Sequence, residues 1–577
     1  MSVLPYVSLD FCKFIVYYML AMPKVNIIPY PNGVEPINGY FKIDQSVALF
    51  YCNEAAKAAK MLCADLQGVL QCTVECTQIA ADGVPNAHGG QPAQNGAEPE
   101  SGGQEDAQRG NCITFTADKN LGPESYRVKI EENGISAQAS GATGFLYAYY
   151  TLRQYLELDK KNSAREISAD CVLIEDSPVY AWRGFMLDEA RHFFGLAEVK
   201  RIIELMSVLK LNKFHWHLSD DQGFRVESLR YPKLTEVSSV RSDTQIGGWK
   251  SNKFRGTGHG GYYTQNEVRE IVAFAAERGI EVVPELSVPG HIAAVIAAMP
   301  ELSCTGEHAA VKTKFGRHDL IACAGRESTY ELLGALIEEW AQLFPAPYFH
   351  LGGNHARRGR WKECNHCVQL MEQQGFTTIK ELENYMFTRL AKHVESLGKT
   401  PIIRSDALNK NSPSNSIGDY YLRLNNDDFL DYLATGRKYI SSRHKAYYLD
   451  HPYALTPLKL SYNYNPAADD VQIDTAAHLL GVEAALFTEW VYDREKIDFN
   501  VFPRLAAVAE SGWTKAELKN YRSFLGRLKA LNRLLRRYNV NYAKMRIAGN
   551  RNLIKRFREL SRWVLSDQYS EVRQNRE

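Results

Sequence analysis

WRGFMLDEARHFFGLAEVKRIIELMSVLKLNKFHWHLSDDQGFRVES, residues 182–228, contains one complete strand–helix–strand unit. FMLDEA is apolar and then abruptly acidic, as a buried strand is where it emerges from a core. EVKRIIELMSVLKL repeats its apolar positions every three to four residues, the spacing of an amphipathic helix. KFHWHLS is again strand-like and again ends on carboxylates, Asp220 and Asp221. The same alternation continues downstream. NEVREIVAFAAERG, ELLGALIEEWAQLF and IKELENYMFTRLAKHVESLG read as helices, while IEVVPEL, YFHLGG, TPIIRS, YYLRL, KYISSR and HLLGVEAALF read as strands. Eight short strands separated by helices over about 330 residues predict an α/β fold, a (β/α)8 TIM barrel, over residues 179–514.

Upstream, residues 23–178 predict an α+β accessory domain. VNIIPYP, YFKI and VALFY read as strands, NEAAKAAKMLCADLQGVL as a helix, CITFTA and SYRVKIEENGISAQA as strands, and GFLYAYYTLRQYLEL as a helix. Within it, Gly83–Gly110 is rich in Gly, Pro, Gln, Asn and Ala with almost no apolar content, so a disordered insertion is expected at 83–110. Residues 1–22 form an N-terminal extension. Their apolar stretch Phe14–Ala21 follows only one Lys, with Asp10 ahead of it. That order is not the clean positive-then-apolar pattern of a signal peptide, and an extension before Met22 or a buried strand fits equally well.

The chain has 577 residues, 45% of them hydrophobic and 23% charged, with 68 Lys and Arg against 67 Asp and Glu. A net charge of +1 excludes a globally basic nucleic-acid binder, and no apolar run reaches the roughly 18 residues of a membrane span. The balance hides an asymmetry. From Lys515 onward there are 17 Lys and Arg but five Asp and Glu, a net of +12, which leaves −11 for residues 1–514. Residues 515–577 therefore read as a basic helical C-terminal extension, its charge lying on solvated helix faces that close off a domain; an anionic partner is the alternative. Eleven scattered Cys, an odd number, argue against a disulfide framework and lean towards a reducing, cytoplasmic compartment.

In such a barrel the chemistry sits where strands end at the C-terminal face. Arg191, Asp220, His291, Asn354, His355, Tyr448, Asp450 and Glu489 all fall at or just after predicted strand ends. One loop Asp is often only a helix N-cap. Carboxylates, His, Arg and aromatics converging from six strand ends instead suit a polyhydroxylated ligand: carboxylates accept hydroxyl protons and aromatic faces stack on sugar rings.

These segments, with VVPELSVPGH, HLGG, YYLD and NVFPRLAAVAESGW, resemble glycoside hydrolase family 20, the β-N-acetylhexosaminidases. The resemblance covers about residues 23–514, including the accessory domain. It implies substrate-assisted hydrolysis, in which the sugar's own 2-acetamido group is the nucleophile. An Asp–Glu pair after HxGG then orients the acetamide and protonates the leaving oxygen. Here the pair is Asn354–His355. By the same resemblance Arg191 holds ring hydroxyls, Asp220 and His291 support the general acid, Tyr448 binds the acetamide with Asp450 beside it, and Glu489 binds distal hydroxyls. The family's Trp positions fall on Phe487 and on Arg404 or Ser405, and Ser287 replaces an Asp.

Asn354 can still hydrogen-bond an acetamide but cannot offset a developing cation, a loss of several kcal/mol of transition-state stabilisation. His355 titrates in a range suited to an acid, yet as imidazolium repels the same centre. With Arg404, and with Arg357, Arg358 and Arg360 following, the pocket is expected to be more positive than its family's. Three functions follow: an amino-sugar hydrolase with altered catalysis, a non-hydrolytic glycan-binding relative, and a hydrolase retuned for an anionic glycan. No cofactor or metal is expected. Cys364–Cys367 is a lone CxxC without a second pair at recognisable spacing, and the His215–His217 alternation reads as barrel packing. Gly256–Gly261 lacks the preceding strand of a dinucleotide loop. The partner expected is carbohydrate, with neither nucleic acid nor membrane.

Overall fold

A computed structural model describes residues 25–79, 111–158, 165–354, 356–421, 426–470, 477–549 and 552–565. The N-terminal extension, the 83–110 insertion and His355 lie outside them. The chain divides into two compact units, one ending at Val179 but rejoined by Glu517–Tyr538, the other Tyr180–Ala516 with the residues from Asn539 onward.

In the first unit a seven-stranded mixed sheet carries helices Ala56–Leu70 and Ala142–Tyr155. Its central strands, Tyr126–Glu131 and Gly134–Ala139, alternate strictly between buried and partly exposed residues, as a sheet covered on one face requires. Val25–Pro31, expected as a strand, is irregular though largely buried. Two prolines in seven residues remove ladder donors. The Gln154 side chain takes their place, accepting from the Ile28 N–H and donating to its carbonyl, both at 2.9 Å. Helix Tyr521–Arg537 belongs to this unit rather than to a separate C-terminal region. It buries Phe524, Leu528, Leu531, Leu534 and Leu535 and leaves most of its basic residues outside. Arg527 is the exception, buried and donating to the Ile27 carbonyl at 2.8 Å.

The second unit is a closed barrel of eight parallel strands: Trp182–Asp188, Lys213–Asp220, Glu281–Val288, Tyr348–Gly352, Thr400–Arg404, Ile417–Tyr420, Lys438–Ser441 and Leu479–Leu486. Closure comes from the first strand pairing with both the second and the eighth. Helices cover the outside and side chains fill the inside, so the first two strands are buried at every position. The sixth strand begins at Ile417, ahead of the expected YYLRL, because Ile-Gly-Asp-Tyr carries no apolar run.

The barrel interior is layered. One end is closed by Trp182, Val283, Ile402, Ile417 and Ile440. Above them lies a charged layer centred on Glu285, which His215, His217 and Arg404 approach at 2.9, 2.8 and 2.9 Å. Glu483 joins through His215 at 2.7 Å and the Trp182 indole at 3.0 Å. Gly184 makes room for it: a Cβ there would meet the Glu483 carboxylate at 2.4 Å. His215 and His217 are thus interior residues, ion-paired within the core. Aromatic residues, Tyr421, Tyr448 and Phe487, form the next layer up.

Candidate active site

The site begins with Asp188, the last residue of the first strand. One carboxylate oxygen accepts the backbone N–H groups of Ala190 and Arg191 at 3.0 and 3.1 Å, a side-chain-stabilised turn. The other accepts the Thr488 N–H at 3.1 Å and the Arg191 guanidinium at 3.2 Å. One aspartate therefore shapes the first loop, ties it to the end of the eighth strand and aims Arg191 across the barrel mouth.

Arg191 also meets Asp220 at 2.6 Å. Asp220 accepts from His217 at 3.0 Å and from His291 at 3.1 Å, and Asp221 accepts from His291 at 3.2 Å. Burial alone would make the His291 imidazolium unfavourable, but Asp220 and Asp221 outweigh it and push the pKa up to about 10. His291 is therefore cationic at neutral pH. Burial also acts against the Asp220 carboxylate, and Arg191 and His291 overcome it, holding Asp220 below the usual carboxylate range. The His291 backbone sits at φ +54°, uncommon for a non-glycine residue, held by its neighbours' hydrogen bonds. The next turn is pinned by Asp221, which accepts the Ala293 N–H at 3.1 Å.

Above this network opens a cavity of about 340 Å3, within the range of small-ligand sites. Arg191, His291, Asn354, Tyr448, Asp450, Phe487 and Glu489 line it, so seven of the ten residues singled out in the sequence meet there. Asp220 lies beneath, 1% exposed, acting through Arg191 and His291. Tyr448 follows a short helix, His444–Tyr447, rather than ending a strand, and a bridge to Ala485 holds it. Its ring packs on Phe487 at 5.3 Å and stacks with Tyr421 at 6.1 Å. Burial raises the pKa of both pocket carboxylates, Asp450 and Glu489, to about 7 despite nearby arginines. Asp450 Oδ1 and the Trp490 indole N–H are buried with no hydrogen-bond partner among the described residues.

Seven further lining residues, among them Trp249, Arg317, Tyr421, His451 and Trp490, were not singled out in the sequence. Trp249 and Arg317 come from long loops with no local motif, and only the closed barrel brings them to the mouth. Trp490 could have been found, since it adjoins Glu489; it packs edge-on against Trp249 at 5.4 Å.

Arg404 corrects an expectation. It does not line the cavity: it is 1% exposed, bonded to Glu285 at 2.9 Å and Asp419 at 2.7 Å, beneath the Phe487 ring. Two carboxylates balance its charge, so it adds none to the pocket. The three arginines after His355 also face elsewhere, Arg357 to Asp319, Arg358 to Glu383 and Arg360 to Glu363.

Comparison with known proteins agrees with this architecture. Residues 180–516 match the glycosyl hydrolase family 20 catalytic domain, and residues 24–177 match domain 2 of the same family. A β-hexosaminidase of Porphyromonas gingivalis is 31% identical over 90% of this chain, which spans 64% of that protein's length. A β-hexosaminidase of Vibrio furnissii is 33% identical over 69% of this chain and 67% of its own. Among solved structures, the exo-β-N-acetylglucosaminidase of Vibrio harveyi in complex with N-acetylglucosamine superposes with a TM-score of 0.74 at 30% identity, covering 90% of this chain and 78% of that one. With both matched domains in sequence order, and the barrel mouth carrying Arg191, His291, Tyr448, Asp450 and Glu489 around one cavity, this chain belongs to glycosyl hydrolase family 20.

Proposed function

We propose that this protein is a β-N-acetylhexosaminidase-type glycosidase that takes the terminal N-acetylhexosamine of a glycan into the barrel-mouth cavity, with turnover held down by Asn354 and His355. The observation that carries the reading is the lining itself. Asp450 and Glu489 offer acceptors and Arg191 a donor for ring hydroxyls, while Phe487 and Trp490 give apolar faces. The unpartnered Asp450 oxygen and Trp490 N–H are the polar atoms a bound sugar would satisfy. Tyr448 and Asn354 supply hydrogen bonds for an acetamide. Asp220 and His291 are positioning groups below. The relative crystallised with N-acetylglucosamine supports the same substrate class.

Asn354 sets the limit on rate. A carboxylate about 4 Å from a full positive charge contributes about 4 kcal/mol at an effective dielectric constant of 20, or roughly 10^3 in rate. That loss also favours a second reading, glycan binding without turnover. An anionic glycan has less support, because Arg404, Arg357, Arg358 and Arg360 all carry their charge away from the cavity.

The test is release of the aryl group from an aryl N-acetyl-β-glucosaminide, alongside calorimetric titration with N-acetylglucosamine. Slow turnover by the parent, with kcat rising about 10^2- to 10^4-fold in Asn354→Asp/His355→Glu, supports the hydrolase. Sugar binding without parental turnover supports the binder. Neither binding nor turnover in either protein refutes both.

A further inference from the structure

We propose that Cys304, Cys323, Cys364 and Cys367 form a tetrahedral four-thiolate site for one zinc ion, which fastens the loop after the third barrel strand to the loop after the fourth.

One ligand atom from each of the four cysteines lies within 4.8 Å of every other. Cys323 Sγ is 3.7 Å from both Cys364 Sγ and Cys367 Sγ, and Cys304 Sγ is 4.0 Å from Cys367 Sγ. These lengths decide between the available chemistries. A disulfide needs about 2.05 Å. Four sulfurs around one zinc at about 2.3 Å stand at the corners of a tetrahedron whose edge is about 3.8 Å. The observed separations are edges of that tetrahedron. They also suit a single ion better than an iron–sulfur cluster, whose bridging sulfides push the cysteines further apart.

The surroundings are shaped for the site. Cys323, Cys364 and Cys367 are 0, 6 and 0% exposed, and Cys304 is partly buried. Cys364 is the N-cap of helix Asn365–Gln374 and Cys367 lies in its first turn, so the helix start fixes the spacing of the two sulfurs. Asn365 and His366, between them, are exposed, so the knuckle turns both sulfurs inward. Gly325 packs directly on that knuckle: a Cβ there would meet the His366 carbonyl carbon at 2.2 Å and the Cys367 nitrogen at 2.4 Å. On the other loop the Cys323 N–H donates to the Leu302 carbonyl at 2.8 Å. The Trp361 indole crosses between the loops to the Ala322 carbonyl at 2.9 Å.

Two other groups have ligand-like spacing, His215 with Glu285 and His350, and Asp220 with Asp221 and His291. Each already holds a cation, Arg404 in the first and Arg191 in the second. The sulfur cluster has none among the described residues, and four cysteine sulfurs gathered this closely offer a soft donor set that suits one. The position gives the ion a structural role. The first loop carries His291 and the second carries Asn354, and Gly290 and Ala356 approach so closely that a Cβ on the former would lie 3.1 Å from the latter's Cα. Zinc would hold these two loops in register.

The full chain, purified with reductant, is assayed for metal by mass spectrometry after dialysis against a mild chelator. One zinc per chain is expected, with about none retained by Cys364→Ser/Cys367→Ser and full retention by Cys171→Ser. To separate metal loss from misfolding of the double variant, the parent is also exchanged with Co2+. Strong thiolate-to-cobalt charge transfer with the visible bands of tetrahedral coordination is expected. Thiol modification of the native parent should release its zinc as four further thiols react. A metal-free parent with these thiols freely reactive, an intact mass short by two hydrogens per cysteine pair, or stoichiometric iron would each overturn the proposal.

Discussion

Replacing Arg404 by Met removes the guanidinium that pairs with both Glu285 and Asp419 while keeping comparable volume. Both carboxylates are essentially inaccessible, 0 and 2% exposed. Each contact, at 2.9 and 2.7 Å, corresponds to roughly 6 kcal/mol of attraction at an effective dielectric constant of 20, offset in large part by the cost of burying three charges. Breaking such a network leaves the acids ionised and short of a partner, for a net loss of about 3–5 kcal/mol. On a barrel of this size that lowers Tm by about 4–7 °C.

The loss depends on pH. In the parent, burial works to raise the Glu285 and Asp419 pKa values, but Arg404 overcomes it and lowers both. Such groups contribute stability above the unfolded carboxylate pKa and lose it as pH falls through the folded one. In Arg404→Met burial prevails and the folded pKa values rise, so the penalty is full at high pH and relieved by protonation in acid. His215, raised to about 9 mainly by Glu483 against the effect of burial, still shares some of the negative charge at pH 8. The destabilisation is therefore expected to be larger at pH 8 than at pH 5, measured by calorimetry at both, with affinity for N-acetylglucosamine within threefold of the parent. A variant within about 1 kcal/mol of the parent at pH 8, or an equal loss at both pH values, would refute the reasoning. A tenfold loss of sugar affinity with unchanged stability would return Arg404 to the pocket.

Two further outcomes are expected. The pocket carboxylates, raised to about 7, are mostly protonated at pH 5.5 and mostly ionised at pH 8. Affinity for N-acetylglucosamine should rise across that interval, and Glu489→Gln should flatten the rise and weaken binding about tenfold at pH 8, read by calorimetry. Thr264 caps helix Gln265–Ala276 in a reciprocal pair with Glu267, its hydroxyl accepting the Glu267 N–H at 3.2 Å and Glu267 accepting the Thr264 N–H at 2.8 Å. Thr264→Ala should cost about 1 kcal/mol in thermal unfolding, and Thr264→Ser should restore most of it.

Strand and helix alternation from Trp182 to Trp513 is legible because most barrel strands, covered on both sides, are apolar along their length, while each covering helix shows its 3.6-residue stripe; the sixth strand, Ile417–Tyr420, is the exception. The site residues were legible for a related reason. In a closed parallel barrel every strand ends at one face, so Arg191, His291, Asn354, Tyr448, Asp450, Phe487 and Glu489 converge whatever the loop details. Val25–Pro31 misled because apolar content was read without its missing donors.

Arg404 and the cysteines show where local reading ends. Whether a strand-end arginine points up into a cavity or down into the barrel depends on carboxylates from other strands, here Glu285 and Asp419, 119 and 15 residues away in sequence. Likewise Cys364–Cys367 looked solitary because its second pair, Cys304 and Cys323, is itself split by eighteen residues and lies on another loop. Periodicity is a property of neighbours along the chain, and the sequence by itself determined the barrel, its mouth and half of the cavity lining. Charge compensation and metal coordination are properties of neighbours in space. Only the tertiary structure decided that the arginine is a strut within the core and that four scattered cysteines gather within 4.8 Å of one another.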